Sequence, residues 1–227
     1  MSITGLGFIL AAYLWGGIPT SFLVARYRFG IDIRNYGSGN VGASNALSQM
    51  GSVTGILIGT FDCVGKGILP VLAARLLDQS LAVQVGVGLA AVAGHNWSPF
   101  LKFTGGRGVA TAIGLLLVFW LWPDWLILGI VLGGLGRLIF KDTGFWTFVS
   151  LIALPVMAYL FQRPTEIMVM SILIAVLLFA KRLTANWEPP DRRQGRYLVY
   201  LYRVLWDRDV ARKDQWTQRL PDVPDKF

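Results

Sequence analysis

A protein built of helices and threaded several times through a membrane, an all-α polytopic integral membrane protein, is the fold class this sequence predicts. Three observations predict it. Of 227 residues, 54% are hydrophobic and only 15% are charged, with a mean hydropathy of +0.54, more apolar than a soluble domain requires. Apolar runs recur along the chain at lengths suited to a hydrocarbon core about 30 Å thick. The net charge is +8, yet eleven of the 21 Lys and Arg residues fall in the last 47 positions, so the excess is a tail property. Such a tail suits an anionic membrane lipid surface, and no nucleic-acid partner is expected. One cysteine, Cys63, and one histidine, His95, leave no disulfide framework and no histidine-built metal site.

The first run, Ile3–Val24, carries no charge and is long enough to span at about 1.5 Å per residue. It has no positive leading segment or clear cleavage site, so it reads as a mature helix. Six more runs follow: Val53–Ala74, Leu81–Ala93, Val109–Trp122, Trp125–Phe140, Phe145–Phe161 and Glu166–Ala180. About seven transmembrane helices are therefore expected, several of them tilted or extended by flanking residues. Alternate connections hold Arg26, Arg28 and Arg34, then Lys102 and Arg107, then Arg137 and Lys141, then the tail, whereas the opposite ones hold only Arg75 and Arg163. Because Lys and Arg are retained in the cytoplasm, the N-terminus is expected outside and the C-terminus inside. Residues 1–182 read as the transmembrane domain and 183–227 as a basic cytoplasmic tail.

Between the first two runs lies Tyr36–Asn45, a small polar loop. Gly37, Gly39 and Gly42 free its backbone, while Ser38, Asn40, Ser44 and Asn45 add side-chain donors, which is the chemistry of an anion cradle. The second run carries Asp62 and Lys66 four residues apart, an intramembrane ion pair by expectation, since isolated charges at that depth are costly. Gly129, Gly133, Gly134 and Gly136 in the fifth run read as helix-packing residues. Between the third and fourth runs, Gly94 and His95 lead through Pro99, which stops a helix, to Gly105-Gly106-Arg107-Gly108 at the next helix start. Backbone donors and one guanidinium there make a second phosphate cradle. In the tail, Pro189, Pro190 and the run to Arg193 read as a hinge. Gly195 then opens an amphipathic helix with Leu198, Leu201, Tyr202 and Leu205 on one side, expected to anchor on the inner leaflet without a part in the chemistry.

Several short motifs fail on context. Gly37-x-Gly39-x-x-Gly42 spells a dinucleotide fingerprint, but no strand precedes it and Asp62, twenty residues on, lies in an apolar helix. Gly65-Lys66 is followed by Gly67 and so is no phosphate-binding P-loop, and no Gly-x-Ser-x-Gly elbow occurs. Phe100 stands five residues after the only histidine, where a His-x4-Asp acyltransferase has its acid. A small transporter is a further class suggested by the buried charges, but no repeated halves are present.

Two phosphate cradles on one face of a helical membrane protein suit a reaction between two phosphate-bearing substrates. Ser38–Asn45, Gly94–Leu101 and Gly105–Thr111 resemble the motifs of the bacterial acyl-phosphate:glycerol-3-phosphate acyltransferase family, with Ser44 for its usual threonine and Arg107 for its usual lysine. Lys66-Gly67 and Lys181-Arg182-Leu183 match further pieces. Cys63 stands at the family's acid position, Ser48 at an arginine, and Val176 and Phe179 at a histidine and an asparagine, while Glu188 is retained. The resemblance implies seven helices in the bacterial plasma membrane, acyl phosphate and glycerol-3-phosphate as substrates, lysophosphatidic acid as product, and no cofactor. It also implies catalytic roles for Ser38, Asn40 and His95. Substrate-binding roles fall to Gly37, Gly39, Gly42, Ser44, Asn45, Lys66, Gly105, Gly106, Arg107 and Gly108. The alternative is a weakly active or inactive relative that binds lipid or phosphate ligands beside another membrane protein.

Overall fold

The computed structural model describes residues 2–190 and 195–220, so the hinge expected through Arg193 falls partly outside the described residues. Among them there is no strand, only a single bridge between Ser98 and Thr104. Eleven helices follow in order: α1 (Ile3–Gly16), α2 (Thr20–Phe29), α3 (Ala43–Met50), α4 (Ser52–Leu76), α5 (Leu81–Asn96), α6 (Val109–Val118), α7 (Trp122–Ile139), α8 (Thr143–Leu160), α9 (Thr165–Thr184), α10 (Arg196–Trp206) and α11 (Lys213–Thr217). Five segments are long and apolar enough to cross a membrane: Ile3–Phe29, Ser52–Leu76, Trp122–Ile139, Thr143–Leu160 and Thr165–Trp187; α5 and α6 are shorter. Each of the seven apolar runs of the sequence contains helix, the first broken at Gly17–Pro19 between α1 and α2.

Local chemistry sets the boundaries. The hydroxyl of Ser2 accepts from the Gly5 N–H at 3.0 Å and caps α1, and Pro19, which cannot donate, stands before α2. The run expected to continue to Trp122 stops at Val118, because Trp120 takes a left-handed turn at φ +57° and Pro123 starts α7. In α4 the Leu69 N–H reaches back five residues to the Val64 carbonyl, a widened turn across Phe61–Ile68 of the kind that often marks functional sites.

One buried cluster joins Leu115 of α6, Leu154 of α8, and Met170 and Ile174 of α9; a second joins Ala12, Val71, Val87 and Ala91 of α1, α4 and α5. Glycines bring backbones together where α1 crosses α5, with Gly16 against the Ala91 carbonyl, and where α4 crosses α6, with Gly67 against Thr111. The glycine cluster of α7 does not play this part. Only Gly136 has a close neighbour, Trp146, while a side chain added at Gly129 or Gly133 would meet open space. Leu10, Leu57, Ile130, Val156 and Ile172 point outward, the side that lipid would cover. At the bundle end away from the glycine-rich loops, Asp124 is buried and held by Arg163 at 2.6 Å.

Candidate active site

The first glycine-rich loop is folded by its own polar groups. Gly37 and Gly39 take positive φ, +55° and +69°, and reverse the chain. The Asn45 side chain then ties the turn, donating to the Ile33 and Tyr36 carbonyls and accepting from the Ser38 N–H at 3.1 Å. The Gly37 N–H is committed to the Arg219 carbonyl and that of Gly39 to the Tyr36 carbonyl. The expected row of free donors at Gly37–Gly39 is therefore absent. What is open instead is the start of α3. The helix begins inside the expected loop, at Ala43, and the N–H groups of Ala43, Ser44 and Asn45 have no preceding turn to accept them. Ser38 and Asn40 stand beside it, and the Asn40 Oδ1 is buried with no partner among the described residues.

The second loop is packed against a buried polar cluster. Lys66 Nζ lies 2.7 Å from Asp62 Oδ1, both side chains 2% exposed, so the expected ion pair forms. His95 Nδ1 lies 3.6 Å from the same oxygen, near enough for charge attraction but too long for a hydrogen bond. The imidazole covers Gly106, where any Cβ would collide with Nε2, and the Gly106 N–H donates to the His95 carbonyl at 2.9 Å. From α9, Lys181 donates its ammonium to the Asn96 carbonyl and to Asn186 Oδ1, and Asn186 Oδ1 also accepts from the Gly105 N–H at 3.0 Å. Lys181 and Asn186 thus hold the glycine turn from behind.

Both loops open into one cavity of about 470 Å³, the size of a small-ligand site. Ser38, Asn40, Gly42, Ser44, Asn45, His95, Arg107 and Gly108 line it, together with Asp62. Gly37, Gly39, Gly105 and Gly106 do not; they shape the turns behind the wall. Lys66 acts on the cavity only through Asp62. Val109, Ile113, Leu132 and Leu178 give it an apolar lining, and Arg107, Arg137, Arg182, Arg208 and Lys213 a cationic one. There Arg107 pairs with Asp207 at 2.9 Å and Arg208 with Asp142 at 2.7 Å, whereas Arg137, Arg182 and Lys213 have no carboxylate at ion-pair distance among the described residues. Arg182 instead donates to the Val204 and Gly144 carbonyls, at 2.6 and 2.9 Å. An excess of cations over carboxylates in the lining suits phosphate groups. No three His, Cys, Asp or Glu side chains converge among the described residues.

The tail departs from its expected part. Leu198 and Leu201 of α10 do face outward, but Trp206, Asp207, Arg208, Lys213, Trp216 and Thr217 line the cavity. Arg203 is buried, donating to the Leu183 and Glu188 carbonyls and pairing with Asp209 at 2.7 Å. The tail then crosses the site, and Arg219 both donates to the Gly37 carbonyl and accepts from its N–H. The positions that depart from the family pattern are less central than the sequence implies. Val176 is 53% exposed and Phe179 packs edge-on against Phe148, and neither lines the cavity, although Ser48 does. Asn186 and Asp207 went unread in the sequence; the one signal for Asn186 was an asparagine directly after a helix, where a left-handed residue is tolerated.

Fold and cavity together define a polytopic helical membrane protein with a cavity of cationic and apolar lining at one end of its bundle. A family model described as glycerol-3-phosphate acyltransferase matches residues 6–187. Glycerol-3-phosphate acyltransferase 5 of Dehalococcoides mccartyi is 36% identical over 226 residues, covering 96% of this chain and 95% of the relative. Glycerol-3-phosphate acyltransferase of Trichlorobacter lovleyi is 40% identical over 183 residues, covering 78% and 89%. A crystal structure of PlsY, an integral membrane glycerol 3-phosphate acyltransferase, in its glycerol 3-phosphate form superposes with a TM-score of 0.71 at 31% identity over 79% of this chain and 88% of that one. Its lysophosphatidic acid form gives 0.68 at 28% identity over the same shares. The chain belongs to the glycerol-3-phosphate acyltransferase family.

Proposed function

We propose that the protein transfers a fatty acyl group from acyl phosphate to the first hydroxyl of glycerol-3-phosphate, releasing phosphate and lysophosphatidic acid. The observation that carries this reading is the single cavity with a cationic wall, an open helix start and an apolar slot, which matches one phosphate-bearing acceptor and one acylated phosphate. An acyl phosphate is already activated, so positioning and charge stabilisation suffice and no covalent acyl-protein intermediate is required. The acceptor hydroxyl oxygen attacks the carbonyl carbon, the carbonyl–phosphate bond breaks, and the hydroxyl proton leaves. His95, with Asp62 beside its Nδ1, is the titratable group at hand to receive that proton. Ser38 and Asn40 face the reacting centre, the start of α3 with Gly42, Ser44 and Asn45 meets one phosphate, and Gly108 with Arg107 meets the other. The acyl chain takes the slot along Val109 and Leu132. In this reading seven helices cross the plasma membrane of a bacterium and the cavity faces the cytoplasm, as the distribution of Lys and Arg supports. Anionic lipid lies against the outward face of α10.

Purified protein given both substrates is expected to form lysophosphatidic acid, and acyl-CoA is expected not to replace acyl phosphate. Product no greater than that of a Ser38→Ala control at saturating substrate removes the proposal. The second reading, a weakly active or inactive relative, is favoured by Ser48, which brings no cation to the cavity where the family carries an arginine.

A further inference from the structure

We infer that Asp207, in the tail beyond the family-matched segment, is a positioning residue that sets the Arg107 guanidinium for substrate phosphate. The inference rests on the acyl-transfer reading of this cavity. Asp207 sits at the C-terminal end of α10 in a left-handed conformation, φ 56° and ψ 40°, with its N–H on the Arg203 carbonyl. Asp and Asn are among the few residues that tolerate this backbone. The conformation turns the carboxylate back toward the second glycine-rich loop, where Oδ1 lies 2.9 Å from Arg107 Nε, a charge contact shielded from solvent in which the N–H is not aligned for a hydrogen bond. On its other side Arg107 Nη1 donates to the Lys181 carbonyl at 3.3 Å. The guanidinium is thereby hydrogen-bonded at Nη1 and charge-paired beside Nε, and Nη2, with no hydrogen-bond partner among the described residues, is left for the cavity that Arg107 lines. A guanidinium already held by two neighbours loses less freedom when it grips a phosphate, so the pair preorganises the site.

The tail is built to hold Asp207 there. Arg203, one helical turn earlier, is 2% exposed and bonded to two backbone carbonyls, and Arg208, the next residue, is paired with Asp142. Asp207 is therefore clamped on both sides by contacts to the helical body.

The test is a double-mutant cycle on the full-length protein, reading kcat and KM for both phosphate substrates and, separately, equilibrium binding of glycerol-3-phosphate. Asp207→Asn keeps the left-handed turn and removes the charge. It is expected to lower kcat/KM about tenfold, mainly through KM, while in an Arg107→Ala background it changes kcat/KM less than about twofold. Asp207→Glu, which restores the charge on a backbone it tolerates less well, is expected to recover part of the kinetic loss, and abundance and thermal midpoint are expected unchanged for Asp207→Asn. Asp207→Asn kinetics equal to wild type overturn the inference, as does the same tenfold loss with and without Arg107. A lowered KM also overturns it, because the carboxylate would then be competing with substrate. Wild-type protein that binds glycerol-3-phosphate without turnover removes the acyl-transfer reading and leaves the binding cycle to decide for Asp207. Protein that does neither overturns both.

Discussion

In the proposed reaction, Arg107 is the residue on which the second phosphate contact depends. Arg107→Ala is expected to cost about 2–4 kcal/mol of transition-state stabilisation, the range for a lost charge-assisted donor, and Arg107→Lys to recover much of it. Turnover and KM within about twofold of wild type would instead make Arg107 a loop-end cation of the usual cytoplasmic kind. The Asp62–Lys66 pair predicts a different signature. Lys66→Met strands a buried carboxylate, so a stability loss of about 3–5 kcal/mol is expected in detergent unfolding, whereas Asp62→Leu with Lys66→Met recovers stability but not activity. Outside the membrane-spanning helices, Asp32 is buried, which alone raises its pKa, but the Arg34 hydrogen bonds and charge outweigh this and hold its carboxyl below the ordinary value. A group depressed in the folded state stabilises above its unfolded pKa, near 3.9, and the contribution is lost as pH falls through the lower folded value. Thermal midpoints measured downward from pH 5 are thus expected to fall more steeply for wild type than for Asp32→Asn.

At the scale of elements, the apolar runs were legible because a hydrocarbon solvent imposes length and composition on any helix that crosses it. Their ends were less so. The stop at Val118 depends on a left-handed Trp120, and the start of α3 at Ala43 depends on how Asn45 ties a turn seven residues earlier. The cavity lining was legible wherever a residue belongs to a glycine-rich loop, as with Ser38, Asn40 and Arg107. Asn186 and Asp207 were not, because they act on Gly105 and Arg107, 81 and 100 positions away in the chain, and no local pattern carries that. The Lys181–Asn186 brace behind Gly105 carries its own prediction. Lys181→Met leaves the buried Asn96 carbonyl without its donor and Asn186 Oδ1 with the Gly105 N–H alone, and is expected to cost about 1–3 kcal/mol of stability, with kcat falling further than stability alone explains as the glycine turn loosens. Unchanged kcat with lowered stability would confine the brace to folding.

Over the whole molecule, the tail is where sequence and structure part most. Eleven cations in 47 residues read as a lipid-surface pattern, and outward Leu198 and Leu201 fit it. Yet Arg203 and Arg208 turn inward, because carboxylates and helix-end carbonyls of the bundle solvate them better than a bare helix face can. In the proposed function, two glycine-rich loops and a tail close one cavity that binds phosphate and performs acyl transfer. Complementation of a bacterial strain lacking its own glycerol-3-phosphate acyltransferase tests it most directly, since it presumes no assay conditions. Growth restored by the wild-type chain and not by equally abundant Ser38→Ala is the expected result. Failure of the wild-type chain to restore growth while correctly inserted, or equal rescue by Ser38→Ala, would contradict it.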